Sequence, residues 1–326
     1  MTPPDPLVAL VADIGGTNTR VALADGPVVR SGSVKRYKNA EHRDLAHVLS
    51  RFLEECGSPE VDAACVAVAG PVRDGVGQLT NHDWTFDRDT LGRATGAQIL
   101  AILNDLQAQG HALPHLDPAN VTRICEGQPA SEHAAQMVMG VGTGFNAASV
   151  FRTELGVFVP PSESGHVSLP VHDQDDLKIA RFIEDKHGFA AVEEVLSGRG
   201  LEMLYRVHAH AVGSDARPKA AEIMEACKTD ADPVAERAVA DFARFMGRVA
   251  GDLALIMLPF GGLYLVGGVS RALAPYLHRF GFAEAFRDKG RFSEFLDQFP
   301  VFVVEDDYAA LTGAASHLTD LAQRRD

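Results

Sequence analysis

The sequence predicts an α/β protein of about two domains. Three observations carry that expectation. Short apolar runs without helical period alternate with segments whose apolar residues recur every three and four positions. Glycine-rich turns stand at the ends of several apolar runs. The chain has 326 residues, and at ~150 residues per domain that length suits two domains. It suffices to bury a core without disulfides or structural metals.

The elements follow in order. Leu7 to Ala12 reads as a buried strand, bounded by Asp13 and Gly15-Gly16. Thr19 to Ala24 reads as a second, so Gly15 to Asn18 is a tight strand–turn–strand connection. Val28 to Val34 is a candidate third strand. Leu45, Val48, Leu49, Phe52 and Leu53 then fall on one face of a helix. Cys65 to Ala69 is a strand ending at Gly70-Pro71, and Ile99 to Leu103 another, ending at Asn104-Asp105. Strands separated by amphipathic helices indicate an α/β fold. The second half repeats the plan: strand Met137 to Val141, turn Gly142-Thr143-Gly144, strand Ala147 to Phe151. Val239, Phe242, Met246, Val249, Leu253 and Ile256 form a long apolar helix stripe, read as core. Leu263 to Val266 is a strand running into Gly267-Gly268, with Ser270 as candidate N-cap of the next helix. Val301 to Val304 is a late strand and Ala309 to Leu321 a closing helix. Pro114 to Pro118 is the best-marked domain boundary.

Hydrophobic residues make up 46% and charged residues 23%, ordinary globular usage that argues against disorder. Lys plus Arg number 30 and Asp plus Glu 44, a formal net charge of −14. An acidic chain without a basic run is a poor candidate for general nucleic-acid or anionic-membrane binding. Anionic nucleotides remain possible ligands, because backbone amides and a bound cation can hold them. Cys56, Cys65, Cys125 and Cys227 are scattered, with no Cys-x-x-Cys pair to signal zinc or redox chemistry. A reduced compartment, the cytoplasm, is expected, and the N-terminal stretch lacks the basic start of a signal peptide. The uncharged run from Leu253 to Val269 contains Pro259 and Gly261-Gly262. It reads as a helix end, a turn and a strand rather than a membrane span. The 13 histidines show no metal-binding spacing and read as surface or core residues.

The segment ADIGGTNTR is the most informative. An acidic residue closes a buried strand, then come two glycines, Thr17 and Asn18. Glycine permits positive φ and lets an anion approach the backbone, and successive N–H groups can point at phosphate oxygens. Asp13 beside phosphates suits a hydrated Mg²⁺, which takes one or two carboxylates plus phosphates and waters. The plain alternative is a hairpin with glycine for geometry. GVGTGFN is a second such turn and VGGVS a third. Three turns, each at a strand end, point to a nucleotide site. The P-loop pattern and the strand–G-x-G-x-x-G–helix fingerprint are both absent, so a nucleotide would bind in a different fold.

Several motifs together resemble the bacterial glucokinases. DIGGTN at 13–18, TNHDW at 80–84, ILND at 102–105, GTG at 142–144, ESGHV at 163–167, EEVLSG at 193–198, VGG at 266–268 and DKGRF at 288–292 occur in that family's order and approximate spacing. The likeness covers nearly the whole chain. It is to the ATP-dependent, zinc-free group of the hexokinase–actin superfamily. The resemblance implies two actin-like (RNase H-like) α/β domains with a cleft between them. The smaller would take residues 1–112 plus 308–326, the larger 113–307. It further implies ATP and Mg²⁺ as cofactors, D-glucose as substrate, and a homodimer.

The resemblance places the catalytic base at Asp105, at the carboxyl end of a strand, where open α/β sheets hold ligands. A carboxylate there can accept the proton of a sugar hydroxyl as the phosphoryl bond forms. The alternative is that Asp105 caps the following helix. Asn104, Asp105, Glu163, His166 and Glu193 look like the sugar ligands, since carboxylates, an amide and an imidazole suit hydroxyls that donate and accept. His166 as a packed histidine and Glu193 as an exposed helix residue are the plain alternatives. Glu194 would point ~100° away from Glu193 in a helix. Asp13, Gly15, Gly16, Thr17, Asn18, Gly142, Thr143 and Gly144 resemble the phosphate and Mg²⁺ shell, with Asp13 meeting the metal through water. Gly267 and Gly268 resemble the adenosine contact. Thr80, Asn81 and His82 either shape the sugar loop or satisfy a hairpin.

Two departures stand out. The family usually has glycine at Asn146, and Gly-Glu-Gly-Gly-His where this chain has Ser162-Glu163-Ser164-Gly165-His166. Asn tolerates left-handed backbone better than most residues. Neither change is expected to abolish activity; both bear on affinity. The expected reaction is ATP plus D-glucose to ADP plus glucose 6-phosphate. The rivals are a kinase for mannose, fructose or N-acetylglucosamine, a non-catalytic sugar sensor, and a filament-forming actin relative. The sensor usually carries an added N-terminal helix-turn-helix, for which a first strand beginning near Leu7 leaves no room. The filament relative has no reason to keep Asn104-Asp105, Glu163 and His166 together.

Overall fold

The computed structural model describes residues 7–79 and 83–324. They divide into two compact units. One draws on the described residues up to 118, on 150–161 and on those from 306 onward, the other on 119–149 and 162–305.

In the first unit β1 (Val8–Ile14) turns back as β2 (Asn18–Asp25), antiparallel, with Val8 opposite Asp25 and Ile14 opposite Thr19. β3 (Val28–Val29) and β4 (Lys35–Lys38) both pair with β2. α1 (Leu45–Glu55) starts at Asp44, whose carboxylate accepts the His47 N–H at 2.8 Å. β5 (Ala63–Val68) runs parallel to β1. A small sheet of β6 (Val72–Arg73), β7 (Val76–Gln78) and β8 (Thr85–Asp87) follows, then α2 (Arg88–Thr95). β9 (Ile99–Asn104) is parallel to β5 and leads directly into α3 (Asp105–Ala112).

Side chains alternate across a strand, and both faces of β1 and β5 are covered. This is why these strands read as unbroken apolar runs rather than as alternation. Leu10, Ala12, Ile14, Ala64, Val66 and Val68 share a core with Val48, Leu49 and Phe52 of α1. The opposite face is alanine-rich. Ala9, Ala22, Ala63 and Ala67 pack with Ala310, Ala314, Ala315 and Leu318 of the C-terminal helix.

In the second unit β10 (Val121–Cys125) and β11 (Gln136–Val141) come first. β12 (Phe145–Thr153) begins here; its last residues, with β13 (Gly156–Phe158), count to the first unit. Four helices follow: α4 (Gln174–His187), α5 (Gly198–Ala211), α6 (Ala220–Lys228) and α7 (Pro233–Met257). Then come β14 (Leu263–Val266), α8 (Gly268–Leu277), α9 (Phe282–Arg287), α10 (Ser293–Leu296) and β15 (Val301–Val304), before α11 (Ala309–Gln323) returns to the first unit. The strands lie in the order β10-β15-β14-β11-β12, with β11, β14 and β15 parallel. The stripe of α7 is core from Val239 to Leu253, in one buried cluster with β11, β14 and α5 side chains, but its last member, Ile256, is 68% exposed and lies outside that core. Leu258 ends α7 in the left-handed region, so the uncharged run 253–269 is a helix end, a turn and β14. Among the described residues no helix is long and apolar enough to cross a membrane.

Two local expectations need correction. Val28 to Val34 is not one strand: β3 stops at Val29, and Ser31–Ser33 form a 3₁₀ turn. Ser33 Oγ accepts the Leu23 N–H at 2.9 Å, which takes an edge partner from β2 with a side chain instead of a strand. Ser270 is not an N-cap. α8 begins straight after β14, with Gly267 in the cap position, and Ser270 is fully buried within the helix.

Burial also sets one acid response. The rings of His111 of α3 and His317 of α11 pack with centroids 4.4 Å apart, tilted by 57°. Burial pushes both imidazoles down from 6.5, to about 3 and about 4. Below pH ~6.5 the unfolded rings take up protons that the folded rings refuse. Stability is therefore unaffected by this pair above that pH and falls as pH drops toward 4, by up to ~1.4 kcal/mol per pH unit for each ring. Thermal melts across pH 7.5 to 4 should show His111→Phe with a shallower decline than the parent. Parallel declines would refute the assignment.

Candidate active site

The first turn lies between β1 and β2. Gly15 donates its N–H to Asn18 O at 2.9 Å. Asn39, fully buried, holds the turn from behind. Its Nδ2 donates to Gly15 O at 2.8 Å, its N–H to Thr17 O at 2.9 Å, and its Oδ1 accepts from Thr19 Oγ1 at 2.8 Å. Sequence reading missed Asn39; an Asn after the charged stretch KRYK carries no local signal of a contact with a turn twenty-four residues back. Neither Gly15 nor Gly16 has positive φ, so the conformational reason for glycine expected here does not hold. A Cβ on Gly15 would meet nothing nearer than Asn18 O at 3.5 Å. What glycine leaves is open approach to the backbone. Asp13 stands one residue before the end of β1, with Arg20 Nη1 at 3.3 Å. Burial pushes its carboxyl up, and Arg20 offsets only part of that rise.

In the same unit β9 ends at Asn104, which caps α3. Asn104 Oδ1 accepts the Leu106 N–H at 2.9 Å, its Nδ2 donates to Gly70 O at 3.0 Å, and its own N–H donates to Gln107 Oε1 at 3.1 Å. Asp105 is the first residue of the helix, and its Oδ1 also accepts from Leu106 N–H, at 2.8 Å. The capping role weighed for Asp105 is thus carried mainly by its neighbour.

The second unit gathers the other candidates around the start of β12. The turn 142–144 closes by a Gly142 N–H bond to Gly144 O at 2.9 Å. Glu193, in a 3₁₀ turn over Val192–Glu194, aims its carboxylate at this turn: Oε2 accepts the Phe145 N–H at 2.9 Å and Oε1 meets Arg199 Nη2 at 3.0 Å. Its side chain is only 19% exposed, so it is not the exposed helix residue of the plain alternative. A Cβ on Gly144 would fall 2.5 Å from Glu193 Oε2, so glycine there makes room for this carboxylate. Ser197 fixes Glu193 from the other side, donating from Oγ to Glu193 O at 2.8 Å while capping α5. A serine ahead of a helix was a legible signal for that cap.

Glu163 and His166 lie on the neighbouring loop. His166 Nε2 is 3.9 Å from Glu163 Oε2, and both side chains are nearly two-thirds exposed, at 64% and 63%. His166 is therefore not a packed core histidine. Gly165 between them is buried, and a Cβ there would sit 2.2 Å from Phe145 O. Gly267 has φ +98°, and a Cβ on it would strike Val141 O at 2.4 Å, which brings the third turn against the end of β11. Gly268 has nothing within 4 Å.

The structure thus groups Asp13, Gly15, Gly16, Thr17 and Asn18 in one turn, and Asn104 with Asp105 at the end of β9. It groups Gly142, Thr143, Gly144, Glu163, His166 and Glu193 about β12, with Gly267 and Gly268 beside β11. Thr80, Asn81 and His82 lie outside the described residues. Among the described residues, the N–H groups of Gly16, Thr17, Thr143 and Gly144 take no backbone partner. Orphan N–H groups on glycine turns are what an anion would complete. No cluster of three or more metal-ligating side chains occurs among the described residues.

Comparison with known proteins agrees with the fold. The family described as Glucokinase matches this sequence over residues 10–321. A glucokinase of Marinobacter nauticus is 33% identical over 311 residues, covering 95% of this chain and 97% of its own length. One of Chromohalobacter salexigens is 32% identical over the same shares of both chains. Among solved structures, a glucokinase from an Antarctic psychrotroph is similar at TM-score 0.85 and 34% identity, covering 95% of this chain and 98% of that one. A glucokinase from Balamuthia mandrillaris, solved in complex with glucose, has TM-score 0.79 over 96% of this chain and 94% of that one. At 22% identity it is a likeness of fold. Each of the two units has the actin-like α/β architecture of such sugar kinases.

Proposed function

The chain belongs to the glucokinase family and phosphorylates glucose at the expense of ATP, and we propose that Asp105 is the general base of that transfer. The observation that supports this role is the division of labour at the end of β9. Asn104 caps α3, so the structural duty that competes with catalysis at Asp105 is met by its neighbour. In the reaction, the 6-hydroxyl oxygen of glucose bonds to the γ-phosphorus of ATP as the bond from that phosphorus to the bridging oxygen breaks. Asp105 takes the hydroxyl proton, and ADP leaves with the bridging oxygen. The products are ADP and glucose 6-phosphate. Positioned general bases contribute ~10²–10⁴-fold, and phosphoryl transfer otherwise needs positioning and charge stabilisation.

Asn104, Glu163, His166 and Glu193 are the proposed sugar ligands. A site built on such bonds rejects a sugar lacking one hydroxyl, because its partners are left unpaired. Gly15, Gly16, Thr17, Asn18, Gly142, Thr143 and Gly144 are the proposed phosphate cradle, with Gly267 and Gly268 at the adenosine. Mg²⁺ fits Asp13: a half-buried carboxylate with a single, partial counter-charge is a suitable anchor for a hydrated cation. Bound there with ATP, the ion would neutralise charge on the phosphates. The proposal includes a homodimer in the cytoplasm.

A hexose panel with MgATP, with products identified by phosphorus NMR, tests the reading. Glucose should be phosphorylated most efficiently, at O6. Preference for mannose, fructose or N-acetylglucosamine would replace the sugar and keep the chemistry.

A further inference from the structure

The Asn146 carboxamide bridges the two neighbours of Glu163. Its Nδ2 donates to Ser162 O, and its Oδ1 accepts the Ser164 N–H at 3.0 Å. The orientation of the amide is fixed by its partners, since a carbonyl can only accept and a backbone N–H can only donate. Ser164 closes the other side: Oγ lies 3.1 Å from Asn146 Oδ1 and accepts the Ala147 N–H at 2.8 Å. Glu163 is therefore flanked by two backbone bonds to one side chain at the start of β12. The adjoining Phe145 is the residue whose N–H binds Glu193 and whose carbonyl leaves no room for a side chain on Gly165.

From this geometry we infer that Asn146 and Ser164 act as one clasp, a pair of positioning residues that hold the 162–166 loop in its sugar-binding conformation. The inference rests on Glu163 and His166 being sugar ligands. Both side chains are exposed, so packing does not orient them, and the clasp is what indexes their backbone to β12, whose Phe145 N–H also holds Glu193. Without it the loop must be ordered at each binding event. That lowers glucose affinity and leaves the nucleotide turns and the transfer step untouched.

The test is steady-state kinetics, glucose titration calorimetry and melting temperature for Asn146→Ala, Ser164→Ala, their double variant and Glu163→Gln. Asn146→Ala should raise the KM and Kd for glucose about tenfold, as expected when its two hydrogen bonds to the loop backbone are lost. Its kcat should stay within about threefold and its ATP KM should not move. Ser164→Ala should have a smaller effect of the same kind. The double variant should lose no more than Asn146→Ala alone, because one network is removed once. Unchanged glucose affinity in Asn146→Ala, against raised KM in Glu163→Gln, would overturn the clasp and spare the site. Additive losses, or glucose and ATP KM rising together with a lower melting temperature, would also overturn it. If Glu163→Gln itself leaves glucose affinity intact, the sugar role of Glu163 falls and the clasp falls with it.

Discussion

Asp105→Ala is expected to lower kcat by about 10²–10⁴-fold while glucose still binds. The variant should fold. α3 keeps its cap, because Asn104 Oδ1 still accepts the Leu106 N–H and Gln107 still accepts the N–H of Asn104. At the helix start the hydrogen bond from Leu106 N–H to Asp105 Oδ1 is among the contacts removed, and Leu106 retains the other acceptor, Asn104 Oδ1. Stability should therefore change little, and the loss should fall on turnover. Asp105→Asn should lose a similar factor, since an amide has the shape of the carboxylate but cannot take a proton at neutral pH. Glucose calorimetry on both variants separates binding from turnover. Full-rate phosphorylation by either would remove Asp105 from its role.

Gly165→Ala should weaken glucose binding by about 100-fold, the scale that a 1 Å misplacement in a site can cost. The added Cβ would fall 2.2 Å from Phe145 O and 3.4 Å from Glu193 Cβ. The carbonyl belongs to β12 and cannot retreat, so the loop must move, taking Glu163 and His166 with it. Gly165 has no positive φ, so contact alone sets the cost, and serine should do as much harm as alanine. A variant that binds glucose normally would show that this loop does not carry the sugar.

The strands and helices that build the frame were legible because burial writes a pattern. β1, β5, β11 and β14 are short runs buried on both faces, and α1 and α7 carry a stripe at helical spacing. β4 was not legible: of Lys35, Arg36, Tyr37 and Lys38, only Tyr37 is buried, so no alternation announces a strand. The start of α8 was misread because a polar Ser270 resembles a cap by type, whereas the turn from β14 sets the register. The candidate residues could be picked out in sequence, but their supports could not. Asn39 holds the first turn, Ser197 holds Glu193, and Asn146 reaches Ser164 eighteen positions away. The first and the third are contacts between segments distant in the chain, and nothing local marks them; Ser197 stands only four residues from Glu193, but its helix-capping type does not announce that second bond. Asn146 and Ser164 were visible singly as departures from a glycine pattern; that they answer one another is visible only in the fold.

The most direct measurement of the central claim is ADP release by the purified protein in MgATP with no sugar, with glucose and with 6-deoxyglucose. Glucose should raise release far above the sugar-free rate. 6-Deoxyglucose lacks the acceptor hydroxyl and should bind, compete with glucose, and give no comparable release. Release that ignores the sugar, or that 6-deoxyglucose stimulates as well as glucose does, would contradict transfer of the γ-phosphoryl group to the 6-hydroxyl.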